Sequence, residues 1–384
     1  MLRLAVCQAL LTAAVLVAQT LGTIEARRLS GSVEFAGSAI SAQLVGAVGA
    51  LLRVRRRPVA PDRLPGLVAV GFGAVAAGAL LCGAGVVRNS LLALLAGNAL
   101  LGAGAAVALL LRTAATSLYP PPRRARAVAF VAVGGVGGGM VAPLLVRLGP
   151  RIASSDSTAA AVPWIGVAMC AVLAALIARS VTVDSPAERT PAGEVATRPA
   201  RRAAIVVCVV AGIAMVAIMS TATLQLHHLG ASDDIVATVI AVHYAAMFGF
   251  AVPFGLLADR WGRRSALVAA STLLAISGLT LAADPHRYVS FAVVLGLVGA
   301  GWSGAFVTGT AMLADASARA ARTALVARND LVVAVTSAVA ALAATVLFAR
   351  GGPESVGAAI AALGVVAVFT AYGLPRAPRP AHDD

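Results

Sequence analysis

This sequence predicts an all-α integral membrane protein, with twelve transmembrane helices in two six-helix pseudo-repeats. Three observations carry that fold class. Of the 384 residues, 60% are hydrophobic and only 12% charged, and the mean hydropathy is +0.91; a water-soluble chain of this length needs far more polar surface. The charges gather between apolar runs of about 20 residues, the length of helix that crosses hydrocarbon. The longest polar break, at 180–202, falls near the midpoint of the chain.

Taken in order, the runs are 4–23, 34–52, 66–87, 90–112, 127–147 and 161–179 before that break. After it come 203–226, 235–256, 265–283, 288–313, 329–349 and 355–374. The first has one Arg ahead of it, like a secretory leader, but eleven more runs follow, so it reads as a retained helix. Gly and Ala dominate the runs, and small residues let helix backbones approach closely in lipid. The alternation expected of a membrane β-barrel is absent. The run Gly134-Gly135-Val136-Gly137-Gly138-Gly139 lies inside the fifth span, where close helix packing or a hinge is expected rather than a phosphate loop.

The formal net charge of +14 invites a nucleic-acid reading, but its distribution argues against one. All 30 basic residues are Arg. With both termini inside, 22 Arg fall in cytoplasmic segments, seven fall outside, and Arg112 lies near the inner end of segment 4. That bias is the positive-inside signal. The expectation is a multi-pass cell-membrane protein with cytoplasmic N- and C-termini, whose partners are the lipid bilayer, a small solute and a coupling ion, with no nucleic acid, and which is monomeric.

The missing Lys removes the P-loop, which needs G-x-x-x-x-G-K-[ST], and Schiff-base chemistry. Cys7, Cys82, Cys170 and Cys208 lie within apolar runs at spacings that match no metal or redox motif. No cofactor and no metal are expected. The polar break carries Pro186, Pro191 and Pro199 among scattered charges, and reads as a flexible linker. It divides the chain into a bundle at 1–179, a cytoplasmic linker at 180–202, and a second bundle at 203–384 with a short cytoplasmic tail.

The stretch Gly255-Leu256-Leu257-Ala258-Asp259-Arg260-Trp261-Gly262-Arg263-Arg264 connects two apolar runs. It resembles the G-x-L-x-D-R-x-G-R-R loop of the major facilitator superfamily of secondary transporters. That resemblance implies the superfamily fold, whose halves are related by an axis along the membrane normal. In the first half, Gly49-Ala50-Leu51-Leu52-Arg53-Val54-Arg55-Arg56-Arg57 stands at the matching place, without the Asp or the second Gly. The first copy is therefore degenerate, which puts the usual latch of that half in doubt.

Further stretches are similar to one poorly characterised bacterial branch of the superfamily. Tyr119-Pro120-Pro121-Pro122-Arg123-Arg124-Ala125-Arg126-Ala127 resembles its P-P-x-x-R-A-R-A, and Leu226-His227-His228-Leu229-Gly230 its M-H-H-x-G. His243 with Met247-Phe248 resembles its W-H-x-x-G-M-F. Gly299-Ala300-Gly301-Trp302-Ser303 and Val307-Thr308-Gly309-Thr310 resemble its G-x-G-W-N-F-x-F-V-G-G-T, and Asn329-Asp330-Leu331-Val332-Val333 its N-D-F-L-V. Two departures weaken a drug–proton exchange label. Asn98 precedes Gly102 and Gly104 where efflux members often place Arg, and the antiporter G-x-x-x-G-P appears at 138–143 with Ala142 for its second Gly.

Ionisable groups deep in lipid are costly and therefore functional candidates. His243 lies about nine residues into segment 8, roughly 13 Å down at 1.5 Å per residue, and His is the side chain that titrates near neutrality. The competing reading is a neutral His bonded to a neighbouring helix. Trp302, Glu34, Glu25, Arg112 and Asn98 complete the candidate substrate or proton pathway; the two Glu sit near the outer ends of segments 1 and 2, where simple surface placement is the alternative. Gly255, Asp259, Arg260, Gly262, Arg263 and Arg264 form the candidate conformational gate, in which the carboxylate pairs with Arg or caps a helix. Asp315, Arg322, Asn329 and Asp330 flank one loop as a candidate inner-face charge cluster.

The expected function is secondary active transport of a small organic solute by alternating access, coupled to protons, with export preferred from the Gly/Pro pattern of segment 5. A passive uniporter on the same fold is the alternative. A membrane-embedded enzyme or sensor would need paired acids or a metal set at one depth, and the sequence offers one deep His; the chain is not expected to be an enzyme.

Overall fold

The computed structural model describes every residue except 33–34, 36, 57–58, 153–155, 182–197, 318 and 376–384. Glu34, most of the expected linker and the end of the tail lie outside the described residues. The helices are α1 (Leu2–Ser30), α2 (Ser38–Arg56), α3 (Leu64–Val87), α4 (Leu91–Ala108), α5 (Leu111–Ser117), α6 (Arg124–Ala132) and α7 (Gly134–Ile152). They continue with α8 (Asp156–Arg179), α9 (Arg198–His228), α10 (Asp233–Gly249), α11 (Ala251–Arg260), α12 (Gly262–Ala283), α13 (Tyr288–Asp315) and α14 (Arg319–Tyr372). No strand occurs among the described residues. Ten helices there are long and apolar enough to cross a bilayer by length and composition, and the chain is a multi-pass membrane protein.

Several expected segments differ in detail, each for a local reason. Segment 4 is α4 followed by α5; at the join the Leu110 N–H donates to Val107 O, three residues back, a tightened turn. Segment 5 is α6 followed by α7, parted at Val133 just before Gly134-Gly135, and Gly is a poor helix former. Segment 8 is α10 followed by α11, parted at Phe250; Pro253 has no N–H to return to the carbonyl of Gly249. Segments 11 and 12 fall in α14, which leaves helical geometry at Gly351 (φ −135°) and Gly352 (φ 65°). Segment 2 is helical from Ser38 to Arg56 but is not among the ten, because Gln43 and an Arg-rich last turn dilute its apolar content.

The chain forms two compact units. One comprises Met1–Leu118, Gly134–Glu188 and Arg319–Ala334; the other comprises Tyr119–Val133, Arg189–Ala318 and Val335–Asp384. Each therefore includes one short segment from the other half of the sequence.

In the first unit, α3 and α4 meet backbone to backbone. A Cβ built on Gly71, Gly78 or Gly85 would stand 2.8 Å from Ala108 N, 2.6 Å from Leu101 N or 2.7 Å from Leu94 N. Gly97 and Gly104 face back from α4, where a Cβ would lie 2.7 Å from Cys82 N and 2.6 Å from Val75 N. The spacing of seven on α3 is two helical turns, so the three Gly share one face. In lipid, such small-residue seams replace the hydrophobic drive that packs helices in water. In the second unit, Ala125, Val128, Ala129 and Ala132 of α6 pack with Phe254 and Ala258 of α11, Ala266 and Ala270 of α12, and Val307 and Ala311 of α13.

Candidate functional site

The second unit gathers the charged loop between α11 and α12 onto the start of α6. Gly255 makes the approach possible: a Cβ there would stand 2.6 Å from that of Ala129 and 3.1 Å from Ala125 O. Asp259 lies one turn further along α11, and its side chain is fully buried. It accepts backbone N–H bonds from Ala125 (3.3 Å) and Arg126 (3.0 Å). These belong to the first turn of α6, whose own N-cap, Arg123, supplies no side-chain cap. Free N–H groups at a helix start, with the positive end of the helix dipole, favour a carboxylate. Asp259 therefore caps a helix from another part of the chain.

Two guanidinium groups complete its shell. Arg126 Nε donates to Asp259 at 3.0 Å and Arg263 Nη1 at 2.6 Å. Arg263 also donates from Nη2 to Pro121 O at 2.8 Å and from Nε to Asp315 at 3.2 Å. Asp315, at the end of α13, accepts from Arg124 Nη1 at 2.9 Å. Gly262 turns the chain between α11 and α12 with φ 88°, a left-handed conformation that costs other residues energy. Arg264 lies 4.5 Å from the centroid of the Tyr372 ring and donates from Nε to Tyr372 O at 3.0 Å. Arg260 is exposed.

The four residues expected as one inner-face cluster are divided between two places. Asp315 belongs to the network just described. Asp330 lies in the first unit, where Arg112 Nη2 reaches both its oxygens at 2.6 and 2.7 Å. Arg112 is 2% exposed and also donates to Leu109 O at 3.1 Å. Asn329 Nδ2 stands 3.4 Å from Asp330 Oδ1, and Arg322 is buried.

The pathway candidates also separate. His243 is fully buried, with Nδ1 2.8 Å from Leu295 O. A carbonyl only accepts, so Nδ1 carries the hydrogen and Nε2 is the free acceptor; Nε2 is buried without a partner. Gly299 of α13 lies against this ring. One turn on, Trp302 stacks on Phe306 (4.8 Å between centroids, 15°) with Phe248 edge-on at 6.4 Å. In the first unit, Asn98 is fully buried and accepts from Gln43 Nε2 at 2.8 Å while donating to Leu94 O at 2.9 Å. Glu25 is buried and accepts from Arg28 Nε at 2.6 Å.

Sequence reasoning did not place Arg124, Arg126 or Pro121 in the site. The only signal was the basic Pro-rich loop at 119–127, and nothing in its residue types says which carboxylate it meets.

Residues 203–384 match the family model described as Major Facilitator Superfamily. The chain is 28% identical over 338 residues, covering 83% of this chain and 78% of the relative, to the uncharacterized MFS-type transporter YdeG of Bacillus subtilis (strain 168). It is 28% identical over 294 residues, covering 73% of this chain and 72% of the relative, to the riboflavin transporter RfnT of Brucella anthropi. Among solved structures, the proton:xylose symporter XylE bound to 6-bromo-6-deoxy-D-glucose is similar with a TM-score of 0.76 at 16% identity, covering 97% of this chain and 95% of that one; at that identity the likeness concerns the fold. Loop signature, helical architecture and relatives agree: the second half of the chain matches the Major Facilitator Superfamily model, and the chain as a whole is similar to poorly characterised bacterial transporters of that superfamily.

Proposed function

We propose that this protein is a transporter of the Major Facilitator Superfamily, a proton-coupled secondary carrier of a small organic solute with a planar aromatic part, working by alternating access, with export as the preferred direction. The observation that carries the coupling is the buried, partnerless Nε2 of His243. A proton added there creates a charge at a depth where charge is costly. Its uptake is therefore linked to whatever rearrangement of α10 and α13 supplies a counter-group or water. The aromatic preference rests on Trp302, stacked with Phe306 and met edge-on by Phe248, in a chain with only 4% aromatic residues, and on the relative named for riboflavin. The Asp259 network acts as the gate: it is made in one conformation and broken in the other.

Twelve spans are part of this proposal. Ser38–Arg56 adds one to the ten apolar helices, and α14 counts as two parted at Gly351-Gly352. A six-plus-six division at the 180–202 linker goes with it.

Proteoliposomes with imposed solute and proton gradients test the reading. Solute-dependent proton flux in the wild type, lost in His243→Ala, is the expected result, with riboflavin and xylose as contrasting solutes. Solute movement without proton flux in the wild type would remove the coupling and favour a uniporter; no movement of any solute in a broad panel would sink the whole proposal.

A further inference from the structure

The first unit carries an open cavity of about 330 Å³ whose lining includes no residue of the Asp259 network or of the His243 region. That volume is at the low end of small-molecule pockets, about 300 Å³. Gly83, Ala84 and Val87 of α3 form one wall, and Ala161 and Trp164 of α8 the other, with Arg88 at the end of α3. The space exists because the facing residues are small: Gly83 lies against Trp164, where an added Cβ would stand 3.2 Å from the Trp Cβ. Around it the same face presents bare apolar side chains, with Leu80 54%, Val87 47% and Ile165 50% exposed. In a multi-pass membrane protein, an apolar exposed face belongs to lipid.

One charged group breaks this apolar surface. Arg88 is exposed at the rim. The Trp164 ring is fully buried behind the wall, with its indole N–H away from the open groove, so Arg88 is the polar group that the groove itself presents. An apolar trough with a guanidinium at its end matches one chemistry: an acyl chain carrying a phosphate headgroup. Arg is suited to phosphate because its planar donors can engage two oxygens at once.

We infer that the α3–α8 groove seats one anionic phospholipid, its acyl chain between the two helices and its phosphate on Arg88. The inference is independent of the transport proposal, since it draws on no residue of the gate or of the His243 region.

Native mass spectrometry of the purified full chain tests it, with phosphatidylglycerol and phosphatidylcholine of identical acyl chains as probes. The wild type is expected to retain phosphatidylglycerol in preference by about fivefold, the order that one basic side chain contributes near an anionic lipid surface. Arg88→Ala should equalise the two lipids, Arg88→Lys should keep most of the preference, and Ala84→Leu should weaken retention of both by filling the trough. Arg88 and Ala84 are both exposed, and a thermal melt confirms that each variant is folded. Equal retention of the two headgroups by the wild type, a preference that survives Arg88→Ala, or retention unchanged in Ala84→Leu overturns the assignment.

Discussion

At Asp259 four donors converge on one carboxylate, two from backbone and two from Arg. The side chain is fully buried, so removing it takes the acceptor away from two backbone N–H groups and two guanidinium groups. Asp259→Ala should destabilise the protein by about 3–5 kcal/mol, as expected when one partner of a buried ion pair is lost. Asp259→Asn, which keeps an acceptor, should cost less, at roughly 1–3 kcal/mol. Melting of the detergent-solubilised variants ranks the two, and equal melting temperatures would count against the cap. Arg126 is 48% exposed, so Arg126→Ala should cost under about 1 kcal/mol. The pair Arg112–Asp330 is a separate case, with Arg112 buried and Asp330 16% exposed. A double-mutant cycle on Arg112→Ala and Asp330→Ala should return a coupling of about 0.5–3 kcal/mol; additive effects would show that the contact contributes little.

The partners of these residues were not legible. Asp259 and Arg263 stand four apart on one stretch of chain, and residue spacing alone brings them within reach. The N–H groups of Ala125 and Arg126 lie more than 130 residues away and carry no side-chain signature. Asp315 and Asp330 flank the same loop, so the sequence grouped them; the fold pairs one with Arg124 and Arg263 and the other with Arg112.

Among the elements, α11 depends on two Gly. Gly255 lets α11 press on α6, and Gly255→Ala puts a methyl group 2.6 Å from Ala129 Cβ. Overpacking of that kind costs about 1–3 kcal/mol and should weaken transport by shifting Asp259 off the α6 N-terminus. Gly262 holds φ 88°, and Gly262→Ala should cost about 1–2 kcal/mol through the left-handed backbone alone. If Gly255→Ala transports normally and Gly262→Ala does not, the turn rather than the close approach controls the loop. Helix type was readable throughout from apolar run length. Helix interruptions were not, because the breaks at Val133, Phe250 and Leu109-Leu110 leave hydropathy unchanged; of their causes, only Pro253 and the Gly134-Gly135 pair are visible in one-letter code.

For the whole molecule, the placement of 30 Arg predicts that both termini face the cytoplasm. A reporter that is active only in an oxidising compartment, fused at the C-terminus, should be silent, and the same reporter placed after Arg287 should be active; the reverse pattern would invert the topology. The ten apolar helices among the described residues were legible because each holds about 20 apolar residues, and Ser38–Arg56 shows the limit of that signal, since Gln43 and its terminal Arg residues pull it below the others.

The Gly71, Gly78 and Gly85 seam has a mechanical consequence. At these Gly the backbones of α3 and α4 meet with few side chains between them, so little rotamer change can cushion the seam, and packed interiors yield little under load. The hairpin is therefore expected to move as one stiff plank, with flexing taken up elsewhere in the unit.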